Sequence, residues 1–373
     1  MNIRFPAAFA TIAVAAIVVA AAYWWQQPAL EQTVGDASTI RSAVILNLTG
    51  PAARFDAPKQ KTIEIAQERI KDLYPGVSLD VRIFDGGSGP EGATVAVRQA
   101  SAWGAQYFLS GTSPTALAIA AQVRGRQPPV AQIANAANPE FGPPRVGEYR
   151  FWPDWKQEAA LVADLLMREN LKKVLLIYSA DPYSEALRKE LQDRVAANDF
   201  TVTELQYDPA STPDFRPALI RAEGGGAQAV VVFGLPPGLT ALVNQMSEVK
   251  WSGTTVGGVN INMVVNKFDE AGLKGPLWLV ETEAMIGDPP KDLEVSNFRR
   301  LYRDTFGESP AFYTVYLADA LYFIAAGASL SDVKNATPVQ ILKGVRVFDS
   351  ASGTIRVLDD GTLSFVMNVR RAR

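Results

Sequence analysis

FLSGTSPTALAIA, residues 108–120, decides how the rest of the chain is read. A short apolar run ends in Ser110-Gly111-Thr112-Ser113-Pro114-Thr115, and an alanine-rich stretch with helical patterning follows at once. That order is a strand, a tight turn and a helix. Ser113 is placed as the N-cap, with Pro114 in the first helical turn. Hydroxyls therefore crowd the junction, and the unpaired amides of a helix start give them company suited to an anion.

The same unit recurs along the chain. AVILNL (43–48) is the first expected strand, and Asp56 can cap a helix whose Ile63, Ala66, Ile70 and Leu73 share one face. VSLDVRIF (77–84), QYFLS (106–110) and VAQIA (130–134) repeat the strand, each separated by a helical stretch. Strands alternating with helices imply a parallel sheet. After a proline-rich break, Pro139 to Pro153, a second series begins with a helix over about 155–170. Its strands are KVLLIY (173–178), FTVTELQ (200–206), AVVVFG (229–234) and TTVGG (254–258). LWLVE (277–281), two further helices and a hairpin closed by Asp359-Asp360-Gly361 complete the chain.

Two similar series with several late segments predict an α/β protein of two doubly wound, Rossmann-like lobes joined by a multi-strand hinge, preceded by an N-terminal hydrophobic helix. The expected division is 43–150 with about 282–335 in one lobe, and 151–281 with about 336–373 in the other. Ligands of open α/β sheets bind beyond the carboxyl ends of the strands, so two facing sheets share a cleft. Residues 1–25 read either as a signal peptide, with Ala20 and Ala22 near the cleavage point, or as a membrane anchor. The anchor would span Phe5 to Trp25, with Tyr23-Trp24-Trp25 at the interface. Either reading puts the body of the chain outside the cytoplasm, with 26–42 as the tether.

Composition excludes much chemistry. The 373 residues carry 36 basic and 39 acidic side chains, a formal charge of −3 that gives no footprint for nucleic acid. There is no His and no Cys, so thiol nucleophiles, His-based triads and zinc sites built from those ligands are absent. No metal or organic cofactor is expected. GGSGPEG (86–92) contains a Gly-x-Gly-x-x-Gly, but it follows the second strand and has no acid about 20 residues on, so it reads as a connecting turn. Asn47-Leu48-Thr49 matches a glycosylation sequon, yet lies in an expected buried strand.

The chain resembles the substrate-binding proteins of ABC importers in the branched-chain amino acid family, of type I periplasmic-binding fold. LNLTGPAARFD (46–56), the turn at 110–115, IANAANPEF (133–141), YSADPYSEALRKEL (178–191) and YTVYLADALYFIAAGA (313–328) carry the resemblance. It implies that the turn at Thr112, Ser113 and Thr115 grips a ligand carboxylate and that Tyr183 stacks on or bonds to the ligand. Arg54 and Phe55 face the same cleft from the first loop. Asn135 and Ala136 stand where relatives offer small residues and a hydroxyl, a departure that puts the usual amino acid ligand in doubt. Trp152 and Trp155 bracket the first crossover, and Leu235 makes the second wall apolar. Asn260, Asn262, Glu281 and Glu283 are polar contributors, and Asp154, Glu281 and Glu283 are the candidates to meet a ligand ammonium.

The function implied is extracytoplasmic binding of a small amino acid or other small carboxylate by hinge closure, with delivery to a membrane permease. A membrane-anchored sensor of the same fold, reporting to a receptor or kinase, is the alternative. A hydrolase using paired carboxylates is the third reading, and no acid pair is placed for it by the sequence.

Overall fold

Strands buried on both faces set the architecture. In the computed structural model, which describes residues 39–372 apart from 286–289 and 292, β1 (Ile40–Leu46) has six of its seven residues buried. Such a strand must be covered by helices on both sides, as in parallel sheets. β2 (Leu79–Asp85), β3 (Tyr107–Ser110), β4 (Ala131–Ala134) and β5 (Glu148–Arg150) join it in the order β2-β1-β3-β4-β5, all parallel. Edge strand β2 is the partly exposed one, and its polar Asp80, Arg82 and Asp85 suit that place.

The second sheet is built likewise from β6 (Lys173–Ser179), β7 (Thr201–Tyr207), β8 (Ala229–Phe233), β9 (Thr254–Gly257) and β10 (Leu277–Thr282). Central β8, AVVVF, is buried throughout, whereas edge strand β7 alternates with polar residues facing water. A small antiparallel sheet of β11 (Val347–Ser350), β12 (Gly353–Val357) and β13 (Leu363–Phe365) follows, and β14 (Met367–Arg371) pairs antiparallel with β10. The second sheet therefore runs β14-β10-β9-β8-β6-β7.

The chain passes between the halves after β5, after β10 and between β13 and β14. The helices Glu294–Phe306 and Phe312–Ser329 return to pack on the helix Lys59–Leu73 of the first half. Phe312–Ser329 is long and apolar enough to cross a membrane, yet 83% of it is buried inside the protein. It is a core helix, apolar all round because other elements surround it. Phe323 is fully buried there, with ring centroids 5.0 Å from Tyr149, 5.7 Å from Phe151 and 5.4 Å from Phe348.

Several local expectations are corrected. β1 starts at Ile40, inside the expected tether, because Ile40 pairs with Leu79 and is buried. The proline-rich break contains β5, too short for its alternation to be read from sequence. Of residues 336–373, assigned to the second lobe, only β14 joins the second sheet. The helix Pro338–Lys343 and strand β11 pack on Phe312–Ser329 instead. The turn at 359–361 does connect an antiparallel pair, β12 and β13, but the chain then leaves for the other sheet at Val366. The apolar run at Phe5 to Trp25 lies outside the described residues.

Phe323→Ala should cost about 3–5 kcal/mol of unfolding free energy, because it opens a cavity among three aromatic rings. Urea denaturation measures it, and a loss under about 1 kcal/mol would contradict this packing.

Candidate functional site

In both sheets the strand order reverses, between β1 and β3 and between β6 and β8, and the loops at those carboxyl ends diverge to leave a crevice. A cavity of about 390 Å³ lies there. The first half supplies Arg54, Phe55 and Lys59 after β1, Gly111, Thr112 and Ser113 after β3, and Asn135 and Ala137 after β4. Trp152 follows β5. The second half supplies Asp181 and Tyr183 after β6, Pro209 and Ala210 after β7, Leu235 and Pro236 after β8, and Asn260 and Met263 after β9. Tyr313, at the start of the core helix, closes the ring. Every parallel strand except β2 and β10 contributes its carboxyl-end loop.

Beneath the first-half loops lies a buried ion pair. Asp56 is 0% exposed and Lys59 2%. Lys59 Nζ donates to Asp56 Oδ1 at 2.9 Å and to the Gly111 carbonyl, and the Asn47 amide donates to Asp56 Oδ2 at 2.8 Å. Burial pulls the Lys59 ammonium below its ordinary pKa, and the Asp56 charge opposes that. Gly111 must be glycine, since a Cβ there would fall onto Asp56 Oδ1. Asp56 is therefore a tie between loops; the helix Lys59–Leu73 starts from Pro58 with no side-chain cap.

The hydroxyls at 110–115 divide. Thr115, 3% exposed, donates to Asn47 Oδ1 at 2.6 Å, and Thr112 donates to the same atom at 3.2 Å. Thr115 faces the β1 loop and does not line the cavity. Thr112 does, with its proton already spent. The N-cap is Thr112, not Ser113, and it makes no side-chain cap bond. The Ser113 hydroxyl instead accepts from the Asn138 amide at 3.1 Å. What this turn offers the cavity is chiefly the amides of the helix start, which have no intrahelical acceptor.

Of the remaining expected contributors, Asn135 lines the cavity and donates to the Phe151 carbonyl at 3.2 Å; its neighbour Ala136 is buried away from it, and Ala137 stands there instead. Trp155 lies outside, under the Arg150 guanidinium at 4.4 Å, while Trp152 lines the cavity. Glu283 is drawn off to accept from the Thr354 amide, and Glu281 holds Arg370 at 2.7 Å through both oxygens. Asp154 caps the helix Trp155–Arg168. Asn262 donates to the Val259 and Val280 carbonyls outside this cavity.

Tyr183 presents its ring, edge-on to Trp152 at 6.3 Å. Its hydroxyl points into the protein, 2.6 Å from Glu158 Oε2 and 3.0 Å from the Pro153 carbonyl. Glu158 Oε1 accepts from the Val259 amide at 2.9 Å, and a Cβ on Gly258 would collide with it. Burial pushes the Glu158 carboxyl up to about 7, against the opposing hydrogen bonds from Tyr183 and Val259. When protonated, Glu158 donates to the tyrosine oxygen and frees the tyrosine proton for Pro153.

Among the described residues two buried polar atoms on the cavity wall have no partner: Trp152 Nε1, on a residue 7% exposed, and Asn260 Oδ1, on one 6% exposed. A buried unpaired donor or acceptor costs stability until something answers it. The one carboxylate on the wall among the described residues, Asp181, has partners: Oδ1 accepts from the Tyr183 and Ser184 amides at 3.0 and 3.1 Å, and Oδ2 from the Ser179 hydroxyl. Among the described residues no group of three acids is placed to hold a metal ion. Lys59 and Asp181 were missed in the sequence because a lysine in a helical first turn reads as solvated and an aspartate before a helix reads as a cap.

The periplasmic binding protein family model matches residues 39–373. The fold is similar to a leucine-binding protein of Thermotoga maritima, with TM-score 0.71 and 20% identity over 90% of this chain and 95% of that one. It is also similar to an ABC-transporter solute-binding protein of Rhodopseudomonas palustris in complex with 3,4-dihydroxybenzoic acid, with TM-score 0.71 and 18% identity over 90% and 93%. An uncharacterized protein of Methanocaldococcus jannaschii is 22% identical over 218 residues, 55% of this chain. The matched stretch spans about half of that curated relative, 52% of its length.

The raised Glu158 pKa predicts a pH dependence with a definite sign. The folded protein holds this proton more tightly than the unfolded chain, whose value is near 4.5. Its contribution is complete below about 4.5 and is lost as pH rises through about 7. Relative to Glu158→Gln, the unsubstituted protein should lose unfolding free energy between those limits and run parallel to the variant above about 8. Urea denaturation across that range tests it, and a constant difference throughout would refute the shift.

Proposed function

The chain belongs to the periplasmic binding protein family, and we propose that it is the extracytoplasmic solute-binding component of an ABC importer for a small carboxylic acid with an apolar body. The charge inventory of the inner cavity carries this reading. A carboxylate has the amides of the Ser113–Val123 helix start, with Arg54 and the unspent third proton of Lys59 close by. The apolar body has Phe55, Trp152, Tyr183, Leu235 and Tyr313 around it. An ammonium has less provision, because Asp181 already accepts three hydrogen bonds and Glu281 and Glu283 are committed elsewhere. Leaving an ammonium unpaired in a dry pocket is costly, so an acid without an amino group is preferred over an amino acid.

Binding works by closure. Residues of both halves meet around the cavity, and a ligand that touches both stabilises the closed arrangement by its differential affinity for it. Trp152 Nε1 and Asn260 Oδ1 are a donor and an acceptor that the ligand or its water can satisfy. The closed form is then what a membrane permease would recognise. Residues 1–25 would export the chain or anchor it beside that permease.

Titration calorimetry with 4-methylpentanoate and leucine, which differ by one amino group, tests the reading. The acid should bind at least tenfold more tightly, raise the melting temperature and be recovered unchanged. Arg54→Ala should weaken it roughly tenfold, the scale of one charge-assisted contact. Tighter binding of leucine would overturn the preference.

A further inference from the structure

A second chamber of about 580 Å³ adjoins the inner cavity. Phe55, Pro236, Met263 and Tyr313 line both spaces and form the waist between them. At that waist the Phe55 and Tyr313 rings meet edge-on at 6.0 Å. The outer chamber differs in charge: its lining holds the guanidinium groups of Arg299, Arg303 and Arg370 against one carboxylate, Glu281.

That carboxylate is 2% exposed and bound at both oxygens by Arg370 Nε and Nη2, which leaves Arg370 Nη1 over. Arg299 is fixed in place by donating to the Glu283 and Ala284 carbonyls. Arg303 is exposed on the helix Glu294–Phe306 and makes no ion pair among the described residues. A concave space with excess positive charge and partly apolar walls concentrates anions. Its position beyond the waist suits the far end of a molecule whose near end sits in the inner cavity.

We propose that the outer chamber receives a second anionic group, so that the cleft takes small diacids: one carboxylate at the 113–123 helix start, an apolar body through the waist, and the other carboxylate facing Arg303 and Arg370. This rests on the reading of the inner cavity as an acid-binding site. Arg303 is the specificity residue, because among the described residues no side chain forms an ion pair with it.

The test compares benzoate with benzene-1,4-dicarboxylate, and hexanoate with hexanedioate, by titration calorimetry on the full chain. At least one diacid should bind tenfold or more above its monoacid, with a steeper loss of affinity in salt. Arg303→Ala should lower the diacid-to-monoacid affinity ratio by roughly tenfold, and Arg303→Lys should restore part of it. Monoacids that bind while neither diacid gains, or an Arg303→Ala ratio that does not change, would overturn the second site and leave the acid cavity standing. Folded protein that binds none of the four would overturn both.

Discussion

The buried pair of Lys59 and Asp56 holds the first half of the site together. Two loops depend on it: within the loop after β1 the Asn47 amide rests on one carboxylate oxygen, and Lys59 spans from the other to the Gly111 carbonyl in the loop after β3. Burying two charges is expensive, and removing one partner of such a pair typically costs about 3–5 kcal/mol because the other is left uncompensated. The return is positional. Gly111, Thr112 and the helix start at Ser113 are set against the β1 loop, and the Thr115 and Thr112 protons are drawn to Asn47.

The second half repeats the device with other residues. Glu158, also buried, reaches the Val259 amide and the Tyr183 hydroxyl, and Gly258 leaves room for it as Gly111 does for Asp56. In each half a carboxylate below the strand ends locks the loops whose outer atoms face the cleft. Asn260 and the Tyr183 ring are placed by Glu158 in the way that Thr112 and Ser113 are placed by Asp56. Rigid walls on two halves joined by three passages are what closure on a solute needs. In the proposed closure the loops would keep their shape while the angle between halves changes.

In the proposed reading, charge distinguishes the ligand classes. Among the described residues the carboxylates at the cleft hold structure: Asp181 and Asp154 cap helices, Glu281 holds Arg370, and Glu283 serves the β12 backbone. The cations are less fully spent. Most of this cleft's acids are scaffold, and in the proposed reading its positive groups meet the solute.

The sequence by itself determined the alternation of strands and helices, and with it the parallel sheets and the location of the site at their carboxyl ends. Those follow from local patterning, since a strand buried on both faces must read as a continuous apolar run whatever surrounds it. Nine of the sixteen residues expected around the cleft line the cavity for that reason. Only the tertiary structure decided which atoms face inward. Thr115 is turned away by Asn47, 68 residues earlier, and Glu283 by Thr354, 71 later. The Tyr183 hydroxyl is taken by Glu158 from another helix. A hydrogen bond spends a proton or a lone pair once, and the partner that spends it is chosen in space. A strand-end loop can be found in the sequence, while the side of it that meets the ligand is settled by what packs behind it.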